Sequence, residues 1–229
     1  MGLRSELGVL WGLGRAIRDR PAFVGYGGTT HPQGDEGAQF EIVRRSSATG
    51  EPRTLITLYQ AVLKGERFGW ALQKGTEVGI SRFVPVVCER SVVDDLGSVE
   101  QKRERWERII QEAAEQSGRA RLPVLAPAQI LETVMQVGSS GSTAPGPLRL
   151  MLWEQEGATT LRQALAGCNF AIGARIEVLV GPEGGYTAAE VGLAEHWGAR
   201  RVTLGPRILR AETAGVVAAA AILYEAGEM

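Results

Sequence analysis

The chain contains 229 residues, of which 44% are hydrophobic and 22% are charged, as is typical of globular domains. Its formal net charge of −1 excludes a uniformly basic coat for nucleic acid, but it leaves a local basic site open. The longest strongly apolar uncharged run, residues 213–224, is too short to span a membrane. The first residues lack the continuous apolar segment of a secretory signal peptide.

Cysteine and histidine are scarce, with only Cys88, Cys168, His31 and His196 in the sequence. Two cysteines without a CxxC spacing indicate a reducing cytoplasm and no disulfide framework. We therefore expect no zinc site and no serine–histidine triad. Of the 25 basic residues three are lysines, so 22 are arginines, which is compatible with RNA contact and equally with the codon bias of a GC-rich genome.

Residues 1–57 differ from the rest of the chain and are rich in glycine, arginine and threonine. Short possible strands at Ala22–Tyr26, Gln39–Val43 and Leu55–Leu58 are separated by turn clusters such as GYGGTTHPQGDEG. This pattern predicts a small β module, or part of one.

Strands and helices alternate from Leu58 onward, and residues 137–147 between them have the composition of a flexible surface loop. The predicted elements are a helix at Glu66–Gly79, a strand at Arg82–Cys88, a long helix at Val99–Gly118, and strands at Leu148–Trp153, Ile176–Val180 and Arg201–Leu204, each of these three followed by a helix. The alternation predicts a mainly parallel sheet with right-handed crossovers.

The sharpest signal is a near-repeat of strand, Gly-Pro loop and helix. The segment IEVLVGPEGGYTAAEV contains the first Gly-Pro pair, and RRVTLGPRILRAETAGVV contains the second, 24 residues later. Such a unit places its two strands parallel. If the strands are neighbours, both loops leave the same carboxyl edge, where open α/β sheets bind ligands.

The first loop, Gly181–Gly185, contains three glycines that let the main chain approach a ligand closely. Thr187 and Glu190 have the spacing of a capping box, which fixes where the next helix begins. Glu183 is held in the tight loop at the strand end. The alternative is a structural turn that carries an incidental glutamate.

The second loop is basic, because residues 200–211 contain four arginines and no acidic side chain. Arg207 and Arg210 lie beside the start of a helix of mostly small residues, Ala211–Ile222. The alternative is a surface pair of arginines, one of them bonded to Glu212. Together the two loops favour a binding crevice.

Several common nucleotide and hydrolase motifs are absent from the sequence: there is no GxxxxGK[ST], no GxGxxG after a strand, and no GxSxG. The candidate site that remains is a crevice of backbone amides, arginine and glutamate. It suits an organic cofactor and an anionic substrate.

The motifs VGPEGGYTAAEV and LGPRILRAETAGVVAAAAI closely resemble the RsmE family (ribosomal RNA small subunit methyltransferase E) of the SPOUT superfamily. Members of this family methylate N3 of one uridine in small-subunit ribosomal RNA. The upstream segments LYQAVLKGERFGWALQKGTEVGISRFVPVVCERSV, RWERIIQEAAEQSGRARLP and LMLWEQEGA are also similar, so the resemblance covers residues 55–225.

The resemblance implies an α/β SPOUT methyltransferase domain at residues 58–229, with a deep C-terminal trefoil knot that binds S-adenosylmethionine. It also implies a PUA-like β-barrel module at residues 1–57 that helps to hold RNA. This module is expected to be shortened, because its usual first strand is missing. Further implications are a cytoplasmic homodimer with no membrane association, acting on small-subunit ribosomal RNA within an assembled or assembling 30S particle.

The resemblance also implies which residues contact the cofactor, in three loops. These residues are Leu152, Trp153 and Glu154; Leu179, Val180, Gly181, Pro182, Glu183, Gly184 and Gly185; and Leu204, Gly205, Ile208, Leu209, Arg210 and Thr213. Basic residues are the candidates for RNA binding, each with an ordinary solvated surface as the alternative. They are Lys64, Arg67, Lys74, Arg82, Arg90, Arg103, Arg105 and Arg119.

Methylation at N3 of uracil requires loss of the N3 proton. Arg207 and Arg210 are candidates for stabilising the uracil anion or a phosphate, and Glu183 is a candidate for handling the proton. The base is expected to leave its stack, and no metal is required. Two alternatives are methylation of a ribose 2′-hydroxyl, and a non-catalytic RNA-binding or assembly protein on the same scaffold.

Overall fold

A computed structural model describes residues 50–92, 95–137, 146–154, 157–170 and 173–229. The predicted strands Ala22–Tyr26 and Gln39–Val43 lie outside the described residues, as does most of the predicted loop at 137–147. The β module in the N-terminal part of the chain therefore stays a prediction.

The described chain alternates strands and helices. The elements are β1 (Leu55–Ala61), α1 (Arg67–Val78), β2 (Arg82–Val87), α2 (Leu96–Glu100), α3 (Arg103–Gln116), β3 (Val124–Leu125), β4 (Gln129–Ile130), α4 (Leu131–Val137), β5 (Leu148–Leu152), β6 (Thr159–Thr160), α5 (Leu161–Leu165), β7 (Arg175–Val180), α6 (Ala188–His196), β8 (Ala199–Thr203) and α7 (Ala211–Glu225).

Within the described residues, eight strands form one sheet in the order β3-β2-β1-β7-β5-β8-β6, with β4 also paired to β2. Every pairing is parallel, which confirms the predicted sheet class. The two strands of the near-repeat, β7 and β8, are parallel but not neighbours. Instead, β5 lies between them and pairs with both, so the end of β5 stands between the two Gly-Pro loops.

The strand predicted at Leu55–Leu58 belongs to β1, which pairs with β2 on one side and β7 on the other. Its assignment to the N-terminal module is therefore wrong. The predicted boundary between residues 57 and 58 cuts through an interior strand. Ile56 and Leu58 are fully buried in the core of the α/β sheet, so the boundary belongs before β1.

The single long helix predicted at Val99–Gly118 is two helices, α2 and α3, separated by a turn at residues 101–102. The turn brings Glu100 and Arg103 to one loop. Glu100 accepts a hydrogen bond from the main-chain nitrogen of Ala128, and Arg103 donates to the carbonyls of Leu125 and Ala126. The predicted end at Gly118 is confirmed: its φ is 69°, and α3 ends at Gln116.

Two apolar layers cover the sheet, one on each face. On one face Phe68 of α1, Trp106 of α3 and Ile222 of α7 pack with alternate residues of the strands. On the other face, α4 and α6 pack over a second cluster that includes Met151 and Leu179. Because both faces are covered, the interior strands β2 and β7 are buried along most of their length, as is typical of parallel sheets. No helix in the described ranges is long and apolar enough to cross a membrane.

Candidate active site

The first Gly-Pro loop begins directly after β7 and turns tightly before α6. The main-chain nitrogen of Gly185 donates to the carbonyl of Pro182 at 2.9 Å, and Gly185 has a φ of 69°, which favours glycine. The predicted capping box is confirmed, because Thr187 Oγ1 accepts from the nitrogen of Glu190 at 3.3 Å and Glu190 Oε2 accepts from that of Thr187 at 2.8 Å. The loop therefore ends at a fixed helix start.

The buried carboxylate of Glu190 has a second partner outside its own helix. Its Oε1 atom accepts a hydrogen bond at 2.9 Å from the main-chain nitrogen of Glu89, in the segment after β2. Only 2% of Glu190 is exposed to solvent. The start of α6 is thus tied to the neighbouring loop.

The second Gly-Pro loop leaves β8 and ends at α7. Gly205 has a φ of 118°, and its nitrogen donates to Oγ1 of Thr203 at 3.2 Å. Arg210 is the N-cap residue of α7, and its carbonyl accepts from the nitrogens of Thr213 and Ala214 at 2.9 Å. The helix therefore begins at Ala211, as predicted, and the side chain of Arg210 takes no part in capping it.

A cavity of about 570 Å³ lies between these two loops and the end of β5. The main-chain nitrogen of Trp153 donates to the carbonyl of Val202 at 2.9 Å, which holds the end of β5 beside β8. The predicted cofactor residues on the cavity wall are Leu152, Trp153, Glu154, Val180, Gly181, Pro182, Glu183, Gly184, Gly185, Leu204, Gly205, Ile208, Leu209 and Arg210. The three predicted loops thus meet at one site.

Two predicted cofactor residues do not line this cavity. Leu179 is fully buried, and its side chain packs in the apolar cluster beneath α4 and α6. Successive side chains of a strand point to opposite faces, so the neighbouring residue Val180 reaches the cavity wall instead. Thr213 lies in the first turn of α7, where the wall is formed by Ala211, Glu212 and Ala214.

Sequence reasoning missed several residues of the wall. They are Tyr186, Val202, Thr203, Pro206, Ala211, Glu212 and Ala214. Pro206 and the end of β8 could have been included from the near-repeat, since they match positions assigned in the first loop. The first turn of α7 could not have been included, because its position beside the cavity depends on how the chain crosses the sheet between β8 and α7.

Tyr186 forms the floor of the first loop. A Cβ atom added at Gly181 would lie 3.0–3.2 Å from the Tyr186 ring, so the glycine favours this close packing. Burial, together with the charges of Cys88 and Glu190, raises the pKa of the Tyr186 phenol well above its usual range. The phenol is therefore neutral at physiological pH. Burial likewise raises the pKa of the Cys88 thiol, so that this cysteine is no nucleophile.

Charged groups surround the cavity mouth. Arg67, Arg90, Arg207 and Arg210 line it, together with the carboxylates of Glu154, Glu183 and Glu212. Arg207 and Arg210 are exposed, and neither forms an ion pair with another residue in the described part of the chain. Glu183 differs from them, because Nη1 of Arg67 lies 3.1 Å from its Oε1 atom. Two guanidinium groups are thus available to a ligand.

Three of the predicted RNA-binding residues are near this site. Arg67 and Arg90 line the cavity, and the main-chain nitrogen of Lys64 donates to Glu183 at 3.4 Å. Arg82 is elsewhere, since it begins β2 at the amino edge of the sheet, opposite the cavity. Their contact with RNA stays a prediction.

The other four candidates already have protein partners. Lys74 is paired with Glu77, and Arg105 with Glu66. Arg103 and Arg119 are bonded within the fold, which favours a structural role for them over RNA contact. Their guanidinium groups donate to main-chain carbonyls and to carboxylates within the fold, and only 9% of Arg119 is exposed.

The cavity suits a small organic cofactor. Its volume lies in the range of small-molecule sites, and its walls combine aliphatic side chains with main-chain atoms of glycine-rich turns. In the described ranges, no group of three His, Cys, Asp or Glu side chains is placed to hold a metal ion. The chemistry on offer is electrostatic stabilisation by arginine and proton transfer to a glutamate.

Known proteins share the sequence and the fold of this chain. A family model described as an RNA methyltransferase domain matches residues 50–223. The chain is 35% identical over 184 residues to the ribosomal RNA small subunit methyltransferase E of Bacillus subtilis, covering 77% of this chain and 70% of that protein. It is 37% identical over 183 residues to the protein of the same name from Synechocystis, covering 80% of this chain and 57% of that protein.

A solved structure has the same fold. It is a ribosomal RNA small subunit methyltransferase E from Neisseria gonorrhoeae, bound to S-adenosyl methionine. It aligns with a TM-score of 0.74 at 29% identity, and the alignment covers 91% of this chain and 86% of that one. The α/β sheet described above is therefore the fold of known methyltransferases.

Proposed function

This chain belongs to the ribosomal RNA small subunit methyltransferase E family, and from that premise we propose that it methylates N3 of a uridine in 16S ribosomal RNA. The observation that carries the proposal is the meeting of both Gly-Pro loops and the end of β5 around one cavity. S-adenosylmethionine supplies the methyl group when it is bound there.

The first loop and the end of β5 hold the cofactor. Val180 and Leu152, with Leu204 of the second loop, would provide apolar surface for the cofactor, and Gly184 and Gly185 would offer main-chain atoms without Cβ atoms in the way. Holding the methyl group in line with the uracil nitrogen supplies much of the rate enhancement.

The charged residues act on the uracil. The Glu183 carboxylate accepts the proton as the N3–H bond breaks, and Arg210 or Arg207 stabilises the negative charge that develops on the base. The N3 electron pair of the base would form the new bond to the methyl carbon, and the electrons of the broken carbon–sulfur bond would stay on the sulfur of the cofactor. S-adenosylhomocysteine is the second product, and the N3 proton is on Glu183.

We propose that the C-terminal segment is knotted, as the resemblance implies. Support comes from the path of the chain after β8. This strand lies beyond β5, yet α7 packs against α1, β1 and β7 on the other side of β5. The segment between β8 and α7 must therefore cross the carboxyl ends of β5 and β7.

We also propose a homodimer that uses the outer face of α7. Gly215, Ala218, Ala219, Ile222 and Leu223 face the core, whereas Val217 and Tyr224 on the same helix are 39% and 74% exposed. A second cavity of about 630 Å³ runs along this outer face and reaches Leu204 and Gly205 of the second loop. A second copy of the chain seated there would lie beside the active site.

The remaining parts of the proposal concern the substrate. A PUA-like module before β1 helps to hold the RNA. The substrate is the small-subunit RNA within an assembled or assembling 30S particle, in the cytoplasm. Arg67, Arg90 and Lys64 surround the cavity where such a substrate would enter.

One experiment tests the activity. The protein is incubated with S-adenosylmethionine and with 16S RNA or 30S particles that lack the modification, and the RNA is then digested for nucleoside mass spectrometry. We expect 3-methyluridine at one site, with 30S particles the better substrate. A 2′-O-methylated nucleoside would overturn the position of transfer, and no product despite cofactor binding would favour a non-catalytic RNA-binding protein.

A further inference from the structure

The Glu183 carboxylate is held in place by the segment between β1 and α1, which lies more than one hundred positions away in the sequence. Nη1 of Arg67 donates to Glu183 Oε1 at 3.1 Å, and the main-chain nitrogen of Lys64 donates to the same atom at 3.4 Å. Arg67 is the first residue of α1, so its side chain starts from a rigid element.

Both contacts engage one oxygen of the carboxylate. Within the described residues Glu183 Oε2 has no hydrogen-bond partner, and Glu183 lines the cavity. A carboxylate fixed through one oxygen presents the other in a restricted set of directions. This is the arrangement that a proton acceptor needs.

A gain in folding stability does not explain why Arg67 and Glu183 form this ion pair. The Arg67 side chain is 50% exposed and that of Glu183 is 28% exposed. Solvent screens such pairs, and they contribute little to the folding free energy. The geometric effect on Glu183 is therefore the main consequence of the contact.

The main chain of the first loop has a separate brace. Nη1 of Arg90 donates to the carbonyl of Gly184 at 3.2 Å and to that of Tyr186 at 3.5 Å. A Cβ atom on Gly184 would lie only 3.1 Å from Cβ of Arg90, so the glycine permits this approach. Arg90 therefore fixes the main chain of the loop, and the contact of Arg67 with Glu183 fixes the orientation of the Glu183 side chain.

We propose that Arg67 is a positioning residue, which orients the Glu183 carboxylate toward the uracil, and that this is its main role rather than binding RNA phosphate. The proposal rests on the proposed methyltransferase function and on the role of Glu183 within it. Arg67 itself need not touch the substrate.

The test is a double-mutant cycle on single-turnover methylation at saturating RNA and cofactor. Arg67→Ala is expected to lower the rate roughly tenfold to a hundredfold, the scale of a misplaced catalytic group. In a Glu183→Gln background the same substitution should have no further effect. Arg67→Lys should recover part of the rate, because the lysine ammonium restores the positive charge but not the planar, forked donor geometry of the guanidinium.

RNA affinity distinguishes a positioning role of Arg67 from a contact with RNA phosphate, because only the loss of a phosphate contact would change it. The dissociation constant is measured over a range of salt concentrations for the wild-type protein, for Arg67→Ala and for Arg108→Ala. Arg108 is a suitable control because it is an exposed arginine of α3, paired with Glu104 away from the cavity. We expect the same salt dependence for all three proteins.

Two results would overturn the proposal. The first is a combined result. Arg67→Ala lowers the rate further in the Glu183→Gln background, and the slope of the logarithm of RNA affinity against the logarithm of salt concentration falls by about one, as for a lost phosphate contact. The second is an active wild-type protein in which Glu183→Gln has no effect. A wild-type protein that binds S-adenosylmethionine yet methylates no RNA would instead contradict the proposed function itself.

Discussion

Glu51 and Arg119 form a buried ion pair that ties the segment before β1 to the end of α3. Nη2 of Arg119 lies 2.8 Å from Glu51 Oε2, and the two side chains are 8% and 13% exposed for Arg119 and Glu51. The main-chain nitrogens of Ala120 and Arg121 donate to the other oxygen of Glu51 at 2.9 and 3.1 Å. Arg119 also donates to the carbonyls of Thr76 and Ile80.

We expect this pair to make folding stability depend on pH in acid. Burial alone would raise the pKa of Glu51, but the hydrogen bond and charge of Arg119 and the two main-chain donors lower it below 4.5 overall. A lowered folded pKa stabilises the protein above the unfolded pKa, and this contribution is lost as the pH falls through the folded value. Denaturant unfolding of wild type and Glu51→Gln should therefore differ at pH 7, and the difference should shrink as the pH falls through the lowered folded pKa of Glu51. A difference that is constant with pH would contradict this.

Removal of Arg119 should affect folding and not RNA binding. Arg119→Ala removes the cation that pairs with the buried Glu51 carboxylate and the donor to two carbonyls, so we expect a loss of about 3–5 kcal/mol in the free energy of unfolding. The exposed neighbour Arg121 provides the control, and Arg121→Ala should cost little. Folded Arg119→Ala protein should keep the wild-type salt dependence of RNA affinity. A reduced dependence would restore Arg119 as an RNA contact.

Arg119 illustrates what the sequence could and could not predict. Local patterns predicted the parallel sheet, the capping box at Thr187 and the start of α7 at Ala211, because each depends on residues close together in the chain. A basic residue reads the same in sequence whether it faces RNA or a carboxylate 68 positions away, so the sequence could not reveal the ion pair of Arg119 with Glu51. The insertion of β5 between β7 and β8 is a property of the topology, and it has no local signal.

The first Gly-Pro loop should be sensitive to side chains at Gly184. Gly184→Val places a branched side chain against Arg90 at the cavity wall, so we expect it to weaken S-adenosylmethionine binding severely while the protein stays folded. Gly167→Val is the matched control, because a Cβ atom there meets nothing within 4 Å. Titration calorimetry measures both affinities. Unchanged affinity in the Gly184 variant would move the cofactor away from this loop.

The outer face of α7 should mediate self-association. Val217→Glu introduces a charge on this face, and we expect it to convert a dimer into a monomer at micromolar concentration because an unpaired carboxylate is costly to bury. Leu122→Glu is the control, since Leu122 is 44% exposed on another part of the surface. Sedimentation velocity distinguishes the states. A wild-type protein that is monomeric at every micromolar concentration would refute the dimer.

Arg210 should contribute to chemistry more than to binding. It caps α7 through its main chain only, it lines the cavity, and its guanidinium forms no ion pair with the described residues. A cation held there can face the carboxylate of the cofactor, an RNA phosphate or the uracil anion. Only the last interaction strengthens in the transition state, so only it lowers turnover without weakening the binding of cofactor or RNA.

We therefore expect Arg210→Ala to lower single-turnover methylation by about a hundredfold or more, the scale of removing one preorganised electrostatic donor. Cofactor affinity should change little by comparison, and Arg210→Lys should recover only part of the rate because a point charge does not reproduce the planar fork. Arg207→Ala, measured in parallel, shows which guanidinium faces the base. If the Arg210 alanine variant kept near-normal turnover at saturating RNA, Arg210 would be a binding group at most, and stabilisation of the anion would fall to Arg207.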